Sequence, residues 1–198
     1  MDPQTGKWRD LTPYLGAFVT PNSVALMTFL RDAAQVHPEG RLVGYQGSRD
    51  DVAPQVKALF EALKVKAEIT YVNSVVDFNP QQGLNTQRVR LPRESLADKE
   101  ANCIDGTVLF ASLLEGISMN PAIVLVPGHA FLAWETWRDS HGGSNEWRYL
   151  ETTMIGSSTF EQACASAEHT AGVHQSRGQL RMWPLTKLRV ELGITPME

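Results

Sequence analysis

Asn102-Cys-Ile-Asp-Gly-Thr-Val-Leu-Phe-Ala-Ser-Leu-Leu-Glu-Gly116 is the stretch on which the fold turns. Apolar residues at 104, 108, 109, 110, 113 and 114 cover more than one helical face. Such a helix is buried all round instead of lying on a surface. Asn102 suits the N-cap and Gly116 a stop. The spacing therefore predicts a core helix that opens on Cys103. Three runs rich in Val, Ile, Trp and Tyr follow at 122–126, 129–135 and 147–151, and read as strands. A buried helix followed by consecutive strands joined by short turns predicts an α+β fold, with the helix packed on an antiparallel sheet.

Upstream lie two helical patterns, at 23–36 and 51–63. In the second, Val52, Val56, Leu59, Phe60 and Leu63 form one apolar stripe, with Asp50 or Asp51 as cap and Pro54 in the first turn. Residues 1–66 are expected to be a helical segment packed on a core of residues 67–198, in one compact unit overall. A short extended segment, 69–76, leads into a polar stretch from Asn79 to Asn102 that reads as a long ordered loop able to wall a site. Downstream, a helical pattern near 160–167 gives way to a Gly/Ser/His-rich loop and a final segment around 180–192.

The chain has 198 residues, 42% hydrophobic, with 18 Lys and Arg against 22 Asp and Glu. At this size roughly 70% of the unfolded surface can be buried, so no staples are needed. A net charge of -4 argues against nucleic acid or an anionic membrane as partner, since either calls for a basic patch. No apolar run approaches the ~18 residues of a membrane span, and the first residues lack an export signal. Cys103 and Cys164 have no CxxC partner. A reducing compartment, the cytoplasm, is the expected location.

At the first turn of a helix, unpaired N–H groups and the positive end of the dipole favour a thiolate. Asp105 in the same turn works against it. By position alone, Cys103 as nucleophile and Cys103 as small core residue both stay open. A register argument adds a second feature. With strands 129–135 and 147–151 paired as an antiparallel hairpin, His129 can face Glu151, Phe131 can face Tyr149, and Ala133 can face Trp147. One imidazole nitrogen then meets the carboxylate and the other is free for a thiol, the base-plus-orienter logic of a triad. An isolated His–Glu pair is as readily a structural hydrogen bond. The order of a cysteine at a helix start, then a histidine, then an acid is what points to chemistry.

Together with Gln87-Arg-Val-Arg-Leu-Pro92, Pro127-Gly-His-Ala-Phe131 and Tyr149-Leu-Glu-Thr-Thr153, this order resembles the transglutaminase-like cysteine peptidase superfamily, in particular its bacterial branch. The likeness spans roughly residues 58–160 and is specific in combination, each motif alone being weak. The resemblance implies a papain-like core with Cys103 as nucleophile, His129 as base and Glu151 as orienter. It further implies a peptidase, or alternatively a deamidase or transglutaminase, acting on protein or peptide substrates. The third member is more often Asp in that family, so the longer Glu arm is a departure. Gln87 is the upstream glutamine that the resemblance offers as a side-chain oxyanion donor. A catalytically silent peptide-binding relative, excised from a larger multidomain or multi-protein system, is the competing expectation.

No cofactor or metal is expected. No D-x-D-x-D-G loop supports calcium. His169, His174 and Glu168 lack a third ligand at zinc spacing. Arg88 and Arg90 are expected to be salt-bridge partners more than substrate guides. His141 reads as a loop residue, Cys164 as inert, and Trp134, Trp137 and Trp147 as packing around the hairpin, one of them a candidate for lining a peptide groove.

Overall fold

The computed structural model describes residues 10–73 and 88–198. A 3-10 helix, Thr12–Phe18, leads into α1 (Val24–Ala34), and a second 3-10 turn, Arg49–Asp51, leads into α2 (Val52–Val65). Ser23 caps α1, its Oγ accepting from Leu26 N at 3.4 Å. Asp51 stands at the head of α2, but its carboxylate is spent one turn earlier, on Ser48 N at 2.7 Å.

β1 (Thr70–Tyr71) pairs in parallel with β2 (Glu100–Ala101), Tyr71 lying opposite Ala101. Between them the expected long loop contains a helix, α3 (Pro92–Asp98). Proline starts it, and Glu94 Oε2 accepts from Leu91 N at 2.9 Å, a capping arrangement hidden in a polar stretch. The expected core helix is α4 (Cys103–Gly116), buried from Cys103 to Leu114. Its C-terminus closes through Ser118, at φ +62°, with Ser118 N donating to Glu115 O and Met119 N to Leu114 O. That is a Schellman closure with serine where glycine is usual.

Four antiparallel strands form the main sheet: β3 (Pro121–Val126), β4 (His129–Glu135), β7 (Trp147–Leu150) and β8 (Arg181–Pro184), in the order β7-β4-β3-β8. β3 and β4 meet through Pro127-Gly128, where Gly128 takes φ +76°. Proline followed by a positive-φ glycine is what such a tight turn requires. Alternation sorts the strands' side chains: Ile123, Ala130, Leu132, Trp134 and Leu150 share a core with α1, α2 and α4, while Ala122, Val124, Phe131 and Ala133 pack with Ala167 and Ala171 of α5 (Phe160–Ser176). The sheet is thus covered on both faces, and the helices of the first 66 residues share the core of α4.

The hairpin register differs from the expected one by two residues. Leu132 opposes Leu150, Ala133 opposes Tyr149 and Glu135 opposes Trp147. A two-residue slip preserves which side chains share a face, so alternation cannot detect it. Phe131 and Tyr149 still touch, diagonally, with ring centroids 6.1 Å apart. The slip is set by the connecting loop, which forms its own small ladder of β5 (Arg138–Asp139) and β6 (Gly142–Gly143), with His141 exposed between them.

α5 runs on through the segment expected to be a Gly/Ser/His loop, because its alanines favour helix and a single interior glycine does not break it. It ends at Gly178, φ +65°, again with Schellman bonds, Gln179 N to His174 O and Gly178 N to Gln175 O. α6 (Leu185–Val190) completes the chain's elements. From it Arg189 donates to the carbonyls of Gly16, Val19 and Ile194 at 2.9 Å each, and to the Glu115 carboxylate at 2.8 Å. No helix among the described residues is long and apolar enough to cross a membrane.

Candidate active site

Asn102 Oδ1 accepts from Ile104 N at 2.9 Å and Asp105 N at 2.8 Å. The cap takes these two first-turn donors and leaves the amide of Cys103 outside its grip. Asp105, fully buried, closes the box from Oδ2 to Asn102 N at 3.4 Å. A carboxylate so placed would oppose a neighbouring thiolate, but here its charge is offset. Arg90 donates from its backbone N at 2.9 Å and from its guanidinium at 3.2 Å, while also lying 3.5 Å from Glu100 and 3.6 Å from Asp98. Arg88 pairs with Glu94. Both arginines are therefore engaged in ion pairs, Arg90 as the interior counter-charge of the helix start.

His129, the first residue of β4, donates from Nε2 to Glu151 Oε2 at 2.7 Å. Glu151 sits just beyond β7 and would oppose Phe131, so the pair is diagonal, not face to face. The longer arm of glutamate spans that offset. The second oxygen, Oε1, accepts from Thr153 N at 3.1 Å and Thr153 Oγ1 at 2.6 Å, as the cap of the 3-10 turn Thr152–Met154. All of this occurs with Glu151 only 6% exposed. Gly106 permits the close approach of α4 to that turn: a Cβ there would lie 3.0 Å from Thr152 Oγ1.

Cys103, buried, lines the same pocket as His129, together with Ile104, Leu11 and Leu15. With Nε2 committed to Glu151, Nδ1 is the nitrogen left for the thiol. The His129 pKa is raised to about 10, first by hydrogen bonding with Cys103, then by hydrogen bonding with Glu151 and by the charges of both, against the opposing effect of burial. The expected trio is thus brought together. Gln87 lies outside the described residues.

The sign of the His129 shift makes it a stability statement. The folded state binds the imidazolium proton more tightly than the unfolded chain, so this contribution is complete below about pH 6.5 and is lost as pH rises through about 10. Against a His129→Gln variant, the wild type's advantage in chemical denaturation should shrink steadily from pH 6.5 to 10. A difference that grows over that range would contradict the assignment.

Tyr71 is a neighbour that sequence reasoning missed. Its pKa is raised by burial and then by the charges of Cys103 and Glu151. The signal was the parallel pairing of residues 70–71 with the residues just ahead of Asn102, which no local pattern reveals. Thr153 was likewise missed, although it stands two residues after Glu151, where the backbone N–H that a capping side chain accepts from belongs.

The remaining candidates fall elsewhere. Trp134 is fully buried, Trp137 packs edge-on against Tyr45 at 6.1 Å, and Trp147 joins the α5 side of the sheet. None of the three lines the pocket. Cys164 is buried in α5, and burial pushes its thiol up to about 11. It borders a separate cavity of about 390 Å³ whose charges are mutually paired, Lys57 with Glu161 at 2.6 Å and Arg148 with Glu168 at 3.1 Å. His169 and His174 lie five apart on one helix, on different faces. Among the described residues no three His, Cys, Asp or Glu side chains gather as metal ligands.

No family model, curated protein or solved structure matches this chain.

Proposed function

We propose that this protein is a thiol-dependent amide hydrolase or acyltransferase with a papain-like, transglutaminase-like core, working on protein or peptide substrates without a cofactor. The observation that carries the reading is one imidazole held at 2.7 Å by a buried carboxylate while it lines the same pocket as a cysteine at a helix start. Cys103 Sγ, held as a thiolate beside the His129 imidazolium, attacks the amide carbon. The oxyanion forms beside the Cys103 amide. The imidazolium returns the proton to the leaving nitrogen as the C–N bond breaks, giving a thioester. Water, deprotonated by the now neutral His129, then releases the acid and restores the thiolate–imidazolium pair. Peptidase action ranks first, because water needs no acceptor site; an amine in its place would make the reaction a transglutamination. Two unpaired cysteines support a reducing, cytoplasmic setting.

Iodoacetamide labelling across pH tests the thiol directly. Cys103 should react at pH 6 nearly as fast as at pH 8, whereas an ordinary thiol with a pKa of ~8.5 would slow by about a hundredfold. An ordinary profile would favour the silent binding module. A peptide library turned over by the wild type then reports the reaction, hydrolysis or transfer, from the product masses.

A further inference from the structure

The pocket that opens on Cys103 and His129 has a volume of about 470 Å³, within the range of roughly 300–1,000 Å³ typical of small-ligand sites. Leu11, Leu15, Val89, Ile104 and Leu125 wall it, and among the described residues that line it His129 is the only ionisable side chain besides the Cys103 thiol. The hydroxyl of Thr12, also in the wall, is already committed: it donates to Asp10 Oδ1 at 2.7 Å and accepts from Trp183 Nε1 at 3.1 Å. At the rim, Asp10 is in turn bound to Arg181 at 2.8 Å. Leu11 is nevertheless 61% exposed, an apolar side chain presented to the opening.

From this we infer that the pocket is a specificity subsite, selecting substrates with a large apolar side chain beside the scissile carbonyl and rejecting charged ones. The inference rests on the proposed thiol chemistry. Its physical basis is asymmetric. An apolar side chain sheds water against apolar walls. A lysine or aspartate side chain entering the same space would shed its hydration with no uncommitted charged side chain among the described lining residues to replace it. Occupancy by a side chain of the substrate follows from the floor of the pocket, since whatever fills it lies against the sulfur that would attack.

The test uses dipeptidyl acyloxymethyl ketones on the full chain. With these probes Cys103 forms a thioether bond as the carboxylate leaves, and the adduct is read by intact mass. Probes carrying Leu or Phe next to the ketone should label at least about tenfold faster than those carrying Asp or Lys, each rate being divided by the same protein's iodoacetamide rate. Leu11→Glu, at an exposed position that the core does not need, should lower the normalised Leu rate and raise the Lys rate. Equal rates for apolar and charged probes, or an unchanged Leu-to-Lys ratio in Leu11→Glu, would overturn the subsite while leaving an activated thiol in place. A thiol with an ordinary iodoacetamide profile would instead remove the chemistry on which the subsite depends.

Discussion

Replacing Cys103 with alanine is expected to abolish amide-bond turnover while leaving the fold standing. The nucleophile of a triad cannot be substituted by its neighbours, and its removal in comparable machinery costs about 10⁶ in kcat. Apart from the share of the His129 contribution that Cys103 supplies, stability should move by ~1 kcal/mol or less, because the features that hold α4 in place are carried by other atoms. The cap is the side chain of Asn102, the box is Asp105, and the Cys103 backbone carbonyl still accepts from Thr107 Oγ1 at 2.7 Å. Turnover of the best library peptide and the thermal midpoint, measured on both proteins, separate the two roles of a buried cysteine. Lost activity with a midpoint within a few degrees of wild type supports the nucleophile. A drop of about 10 °C or more would return Cys103 to the status of a packing residue.

Glu151→Gln should cost about 10³–10⁴ in kcat, although it changes one atom. Both carboxylate oxygens are acceptors here: Oε2 faces His129 Nε2, and Oε1 faces the backbone N–H and hydroxyl of Thr153. An amide has one oxygen and cannot serve both. If it keeps Thr153, its NH₂ confronts His129 Nε2 and forces that nitrogen to accept, which moves the ring proton to Nδ1 and removes the base from the thiol. The wrong tautomer in a serine triad costs a similar factor of about 10⁴. If the amide oxygen instead keeps His129, the Thr152–Met154 turn loses its cap. Either way the alkaline limb of the kcat/KM profile should move to lower pH, since a neutral amide no longer holds the imidazolium. Full activity with an unchanged profile would show that Glu151 does not orient His129.

How much of this was legible in the residues depended on the range of the interaction. α4 could be read because its signals are local and agree: a capping asparagine, apolar side chains on every face, a terminal turn. The strand alternation was equally plain, and it correctly sorted Phe131 and Ala133 from Leu132 and Trp134. The register was not, because a shift of two residues leaves every side chain on its own face and is decided by the small β5–β6 ladder in the loop. α3 escaped notice inside a polar stretch, although Pro92 followed by Glu94 is a start signal. α5 outran its expected end because one glycine among alanines costs a helix only about 1 kcal/mol. At the site, Cys103, His129 and Glu151 were identifiable by type and order. Their helpers were not: Tyr71 arrives through a parallel pairing across 30 positions, and Arg90 neutralises Asp105 from a segment with no helical or strand pattern of its own.

One guanidinium gives these parts a common frame. Arg189, far along the chain from Cys103 and His129, grips the carbonyls of Gly16 and Val19 and, besides them, the Glu115 carboxylate. The first grip seats the short helix bearing Leu15; the second seats the far end of the rod whose tip is Cys103. Pocket wall and helix start are thereby bolted to a single remote anchor, so that a change at position 189 would act on the placement of Leu15 and of Cys103 together, without touching either.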